Sequence, residues 1–274
     1  MSSEGDLATL FSPSMTRTFA MGKEPALFRE LLEEAGLNKL DEAFKVLAKP
    51  GNRNDYVFRS AIVQKLVVGK NKLTTSALLN EFRVRNSRVD IGVADSTLTA
   101  YEIKSDRDSF ARLHTQLSDY ARFFRQCYVV VSEARVKSAI RNVPPWCGVI
   151  SLTDKFTLRT EKPAEDLLNS NCPEVLCNCL RITEARQVVT ALDGSFPDLP
   201  NTLQRTYARE CFVRADIAEL SDTVRTTLIA SRKSSTQRAE EVRELPSALR
   251  AAYLAAHFNK KQENNYFATL RSIM

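Results

Sequence analysis

The sequence has little glycine, eight residues in 274, and only two histidines, His114 and His257, far apart along the chain. So few histidines give a His-metal nuclease or a Ser–His hydrolase very little to stand on. It has no G-x-x-x-x-G-K-[ST] loop and no G-x-G-x-x-G fingerprint, which leaves P-loop ATP hydrolysis and dinucleotide binding unsupported. There is no fixed-period repeat and no low-complexity tract. No apolar stretch approaches the ~18 residues that would span a bilayer. The opening MSSEGDLATLFSPSM has neither the basic start nor the unbroken apolar run of a secretory signal. The expectation is a cytoplasmic protein without a membrane partner, its six cysteines reduced. Cys172, Cys177 and Cys179 form a C-x4-C-x-C cluster, but no C-x-x-C pair exists and Leu176 and Leu180 flank it, so core packing is its expected role.

What is present is unevenly charged. The net charge is +6. Residues 52–88 alone carry Arg53, Arg59, Lys65, Lys70, Lys72, Arg83, Arg85 and Arg88 against Asp55 and Glu81, so the rest of the chain is about neutral. A local excess of this kind favours a polyanionic partner, because released counterions drive such binding.

Apolar spacing predicts helices over 26–48, with Gly36 as a stop between two of them, and from Asp55 to near Gly69. Short alternating or β-branched runs predict strands at Leu78–Val84, Val89–Ala94, Leu98–Lys104, Tyr128–Val131 and Val149–Leu152. A helix is predicted over 109–124, capped by Asp108 or Ser109, and a short one over 133–141. Beyond about Pro163 the pattern is helical, over 173–192, 201–230 and 238–258. The expected fold is α/β: a helical N-terminal extension (1–50), a mixed sheet flanked by helices (51–160) and a helical C-terminal region (161–274).

Strand alternation puts Glu102 and Lys104 of YEIK on one face. In VDIGV it puts Val89, Ile91 and Val93 on the core side, with Asp90 facing away and Gly92 leaving room beside it. Asp90 and Glu102 are then placed as carboxylate ligands for Mg²⁺ or Mn²⁺, with the Ile103 carbonyl as a further oxygen ligand. Lys104 could polarise an attacking water or offset charge on a phosphate. Glu81 either completes a third acidic position or pairs with Arg83 or Arg88 at the surface. Asp106 and Asp108 are expected to shape the following turn and cap the helix. Arg112, Gln116 and Tyr120, spaced i, i+4 and i+8, share a ridge of that helix. Gln116 and Tyr120 could order water and a phosphate, and Arg112 could grip another phosphate.

The run from Glu81 to Val131 resembles a family of bacterial and phage proteins in the PD-(D/E)XK nuclease superfamily. The similarity covers roughly Arg59 to Leu152 well and the helical second half loosely, with Glu81, Arg88, Asp90, Glu102, Lys104, Ser105, Asp108, Arg112, Gln116 and Tyr120 on its motif positions. Val89 replaces the proline of the namesake motif. The Q-x-x-x-Y spacing in QLSDY is that of RecB-like exonucleases. The resemblance implies a restriction-endonuclease-like core, a divalent metal and metal-dependent cleavage of nucleic acid, most readily DNA. Asp90, Glu102, Lys104, Gln116 and Tyr120 would be catalytic, Asp90, Glu102, Ile103 and Glu81 metal-binding, and Arg88, Arg112 and Tyr120 in contact with nucleic acid. A double-strand cut needs two sites, which a homodimer would supply, or two turnovers at one site. The alternative is a catalytically silent nucleic-acid-binding or phage regulatory protein on the same fold.

Overall fold

The computed structural model describes residues 4–23, 26–37, 39–69 and 73–273, so Lys70 and Lys72 of the basic segment lie outside the described residues. In chain order the first helices are α1 (Glu4–Thr9), α2 (Pro13–Ala20), α3 (Ala26–Glu34), α4 (Leu40–Leu47) and α5 (Asp55–Ile62). A π-helical stretch, Val63–Val68, continues the last of these. Then come β1 (Ala77–Val84), β2 (Ser87–Ala94), β3 (Leu98–Ile103), α6 (Leu113–Tyr120), β4 (Gln126–Ser132), α7 (Val136–Asn142), β5 (Gly148–Leu152) and β6 (Leu158–Lys162). The chain ends in α8 (Pro173–Cys179), α9 (Ile182–Asp193), α10 (Asn201–Arg214), α11 (Ile217–Arg232), α12 (Thr236–Glu244), α13 (Ser247–Ala255) and α14 (Lys260–Ile273). Among the described residues no helix is long and apolar enough to cross a membrane.

The architecture is α/β, a mixed six-stranded sheet in the order β1-β2-β3-β4-β5-β6, with helices packed on it. β1–β2 and β2–β3 pair antiparallel, and β3–β4 pair parallel through the α6 crossover. Two compact units make up the chain, one of residues 71–151 and 159–235, the other of 1–70, 152–158 and 236–274. Neither unit is a single consecutive stretch, so they cut across the three successive segments read from the sequence.

In the sheet unit, Leu79, Phe82, Val89, Leu98, Ala100, Cys127 and Val129 from the strands form one core with Leu113, Leu117, Tyr120, Phe123 and Phe124 around α6. Leu176, Val188, Phe212, Val224 and Leu228 bring α8–α11 into that same core. The four helices therefore complete the sheet's hydrophobic layer. Cys177 is wholly buried there, as a packing role requires.

The strand alternation slips. Leu79 and Phe82 both reach this core although they are an odd number of residues apart, and so do Val89 and Ala94 on the paired strand. The slip falls where the ladder skips one step, between Asn80↔Ile91 and Phe82↔Val89. Glu81 sits there at φ 49, in the left-handed region that costs an L-residue roughly 1–2 kcal/mol. The expected facing of VDIGV is corrected accordingly. Gly92 turns inward, and a Cβ on it would meet the Phe124 ring at 2.9 Å, so its smallness admits that ring and opens no room beside Asp90.

The other unit is helical and aromatic, with Phe11 stacked on Tyr56 and with Tyr253, Phe258, Tyr266 and Phe267 clustered. Its first and last segments interlock: Thr269 Oγ1 in α14 donates to Phe19 O in α2 at 3.2 Å. Arg53 is buried just before α5 and donates to Ala48 O (2.8 Å), Leu152 O (2.8 Å), Thr153 O (2.9 Å) and Asp154 O (3.4 Å). One guanidinium thus ties the loop before α5 to the 152–158 segment. Gly36, at φ 67, follows α3 as the expected stop.

Candidate functional site

The β2–β3 ladder runs to Ile91↔Tyr101 and then opens. One step further along this register Asp90 stands opposite Glu102, and the Asp90 carboxylate fills the gap: its Oδ2 accepts from Ile103 N at 2.8 Å. Ile103 thus meets Asp90 through its amide.

Glu102 is buried, and both of its oxygens have donors. Lys104 Nζ lies 2.8 Å from Oε1, and the Tyr120 hydroxyl 2.8 Å from Oε2. Lys104 Nζ also donates to Gln116 Oε1 at 3.1 Å, and Tyr120 Oη lies 2.7 Å from Arg88 O. Tyr120 has one proton to share between two acceptors. Burial, followed by the negative charge of Glu102, pushes the Tyr120 phenol far above its ordinary value, so it stays protonated. The fold therefore brings together Asp90, Glu102, Lys104, Gln116, Tyr120 and the Arg88 carbonyl. The YEIK strand and the QLSDY helix meet as their spacing implies, and they meet as a closed ion-pair and hydrogen-bond network.

The remaining expected residues lie outside this network. Glu81 is exposed, with Oε2 3.9 Å from Arg88 Nη1, which realises the surface-pairing alternative weakly. Arg112 is exposed at the start of α6. That helix begins at Leu113 and not at Ser109, because both expected caps are used in the preceding turn. Asp108 Oδ2 accepts from Ser105 N and Ser105 Oγ, both at 2.7 Å, and Ser109 Oγ accepts from Ala111 N. Arg135 fastens the same turn through Ser105 O and Asp108 O, its guanidinium 4.3 Å above the Phe110 ring. Asp106 accepts from Ser132 Oγ, so both aspartates shape the turn as expected.

Sequence reasoning passed over Asp119 and the pairing of β1 with β2. Asp119 is buried, accepts from Ser87 Oγ at 2.7 Å and lies 3.4 Å from Arg85 Nε. Arg85 takes φ 55 in the two-residue turn between Val84 and Ser87. Arg83 and Arg88 are cross-strand partners, both exposed. The segment R-V-R-N-S-R was read as basic charge, as a turn and, at Arg88, as a nucleic-acid contact, but not as a pair of arginines facing each other across strands.

These features define a class: a mixed-sheet α/β protein with a sequestered acid–lysine network and an arginine-bearing hairpin beside it. The family model of Bacteriophage P4 protein cII matches residues 49–271, and the chain belongs to that family. Protein cII of Enterobacteria phage P4 is 26% identical over 192 residues, covering 56% of this chain and 72% of that protein. A solved structure, the SPO1766 protein of unknown function from Silicibacter pomeroyi, aligns over 59% of this chain and 86% of its own at 13% identity and a TM-score of 0.33.

The expectation of a PD-(D/E)XK nuclease is overturned by this membership. With it go the reading as a metal-dependent phosphodiester hydrolase and the catalytic roles that depended on it. Among the described residues, moreover, no group of three or more His, Cys, Asp or Glu side chains could hold a metal ion. The E-x-K strand misled because a buried carboxylate–ammonium pair has the same sequence signature as a metal-assisted site.

Proposed function

We propose that this chain is a non-catalytic regulatory protein that binds nucleic acid, DNA most readily, through the exposed face of the β1–β2 hairpin. One observation carries the reading: Arg83 and Arg88 stand directly opposite each other on that face, and Arg85 is held at the turn. Like charges paired across strands are unfavourable, and a phosphate between them turns the repulsion into attraction. Arg112, exposed at the start of α6, is a further arginine open to a phosphate. The restriction-endonuclease-like arrangement expected from the sequence enters this reading only as a scaffold. Asp90, Glu102, Lys104, Gln116 and Tyr120 then serve to set the hairpin, since Tyr120 holds the Arg88 backbone and Asp90 the adjoining strand.

A Mg²⁺ or Mn²⁺ ion is given no part in this reading, in which Lys104 and Tyr120 hold the Glu102 carboxylate. The expected homodimer belongs to the same proposal: two copies about a two-fold axis would read two half-sites, which sedimentation with and without DNA would detect.

The test is a fluorescence-anisotropy titration of duplex DNA at several salt concentrations, with Mg²⁺ or with EDTA. The expected result is binding that weakens steeply with salt, is indifferent to EDTA and leaves the DNA intact. Arg88→Ala should weaken it on all sequences and lower the salt slope by about 1. Absence of DNA binding at low salt, or full affinity after replacing Arg83, Arg85 and Arg88 together, would sink the reading.

A further inference from the structure

A groove of about 420 Å³ lies within the sheet unit, between the kinked edge strand β1 and helix α8. Its lining includes Glu81, Phe82 and Arg83 of β1, Arg85 of the turn, Asn178 and Cys179 of α8, and Arg232 at the end of α11. Its volume falls in the range of small-molecule sites, roughly 300–1,000 Å³.

Three guanidiniums share this lining, and each is aimed by an anchor on its Nε edge. Arg83 Nε donates to Arg85 O at 3.1 Å. Arg85 Nε lies 3.4 Å from Asp119 Oδ1. Arg232 grips the buried Glu184 through Nε and Nη2, both at 2.6 Å, and lies over the Phe82 ring at 5.5 Å. Asp119 and Glu184 offset part of the charge, but they also fix the direction of two forks. An arginine held by one edge keeps its remaining N–H groups ordered for an oxyanion, so little side-chain freedom is lost on binding. The one carboxylate in the lining, Glu81, has its Oε2 3.9 Å from Arg88 Nη1, so a fourth arginine offsets its charge. Burial pushes the Cys179 thiol up to about 12, so it adds no negative charge.

We propose that this groove is a phosphate-binding site for a small phosphorylated ligand, with Arg83, Arg85 and Arg232 holding the phosphoryl oxygens and Asn178 at the rim. The strained Glu81 supports this, because a left-handed non-glycine residue within a strand persists where the surroundings hold it, and such strain collects at binding sites. The site shares Arg83 and Arg85 with the proposed DNA surface, but it is tested on the protein alone and so stands or falls separately. The shared chemistry is a phosphate ester, whose source is either a free molecule or the DNA backbone.

The experiment is calorimetric titration of inorganic pyrophosphate into the full-length protein, with circular dichroism to confirm that each variant is folded. The expected result is saturable, stoichiometric binding, weakened roughly tenfold or more by Arg83→Ala and by Asn178→Trp, which fills the groove from an exposed position. Arg141→Ala, an exposed arginine of α7 away from the groove, should leave it unchanged. Pyrophosphate that displaces DNA would identify the natural occupant as a backbone phosphate. Pyrophosphate bound alongside DNA would identify it as a free phosphorylated molecule, and either result upholds the site. Absence of saturable binding, or an Arg141→Ala loss equal to that of Arg83→Ala, would overturn it.

Discussion

Two buried cations, one in each unit, show how differently a charge can be held. Lys104 is satisfied by side chains close in sequence, the carboxylate of Glu102 and the amide of Gln116. Arg53 is satisfied by backbone carbonyls, three of them about a hundred residues away at 152–154. Lys104 could trade its partners for others, because side chains rotate and carboxylates accept protons or ions. Arg53 cannot, since its acceptors are the course of the chain itself. The first is a local polar cluster with the appearance of chemistry, and the second is a rivet.

The largest effect is expected from removing the rivet. Arg53→Ala leaves up to four carbonyls without their donor and should cost about 3–5 kcal/mol in urea unfolding. Arg53→Lys should recover less than half, because an ammonium cannot reproduce the planar fork. A full recovery by lysine would erase the distinction drawn between the two cations. Next comes Lys104→Met, expected to cost about 2–4 kcal/mol by leaving Glu102 buried with only Tyr120 to donate to it. The double variant Glu102→Gln with Lys104→Met should be more stable than Lys104→Met alone, since the stranded charge is gone. A double variant less stable than the single would show that the pair contributes more than mutual neutralisation.

The smallest effect concerns pH. Burial alone would raise the Glu184 carboxyl, but the two Arg232 hydrogen bonds, with the Arg181 amide and Ser231 hydroxyl, hold it below its ordinary 4.5. A depressed carboxylate stabilises the fold above the unfolded-state value and loses that stabilisation as pH falls through the folded one. Unfolding free energy should therefore decline below about pH 4.5, and Glu184→Gln should flatten that decline. An unchanged slope in the variant would place the acid sensitivity elsewhere.

The two cations also mark what could be read in advance. β1–β5 lie within two residues of their expected ends at each terminus, because alternation and β-branching are local signals. The association of YEIK with QLSDY was likewise legible, being separated by one short turn. β6 was missed because LRTEK is too polar to register as a strand. The breaks at Ala215–Asp216 and Leu245–Pro246 were missed because helical spacing reads through a cap, although Asp216 accepts from Ala218 N and Glu219 N as an N-cap should. Arg53 appeared only as one more positive charge, since its partners are backbone atoms a hundred residues distant. Sequence alone also could not show that lysine and tyrosine hold the Glu102 carboxylate while the Ile103 amide holds that of Asp90.

The interlocking of α2 with α14 carries a consequence for how the molecule comes into being. The sheet unit draws on residues 71–151 and 159–235, so its parts are available once the ribosome has passed residue 235. The helical unit needs residues 236–274 as well as 1–70, and the Thr269–Phe19 hydrogen bond closes a loop of 250 residues. Contacts of such long range are slow to form. During synthesis the first helices must wait, with apolar faces such as Phe19 and Phe28 uncovered, until α14 is made. Truncation before α14 should then leave a protein whose sheet unit is assembled and whose N-terminal helices are proteolytically open.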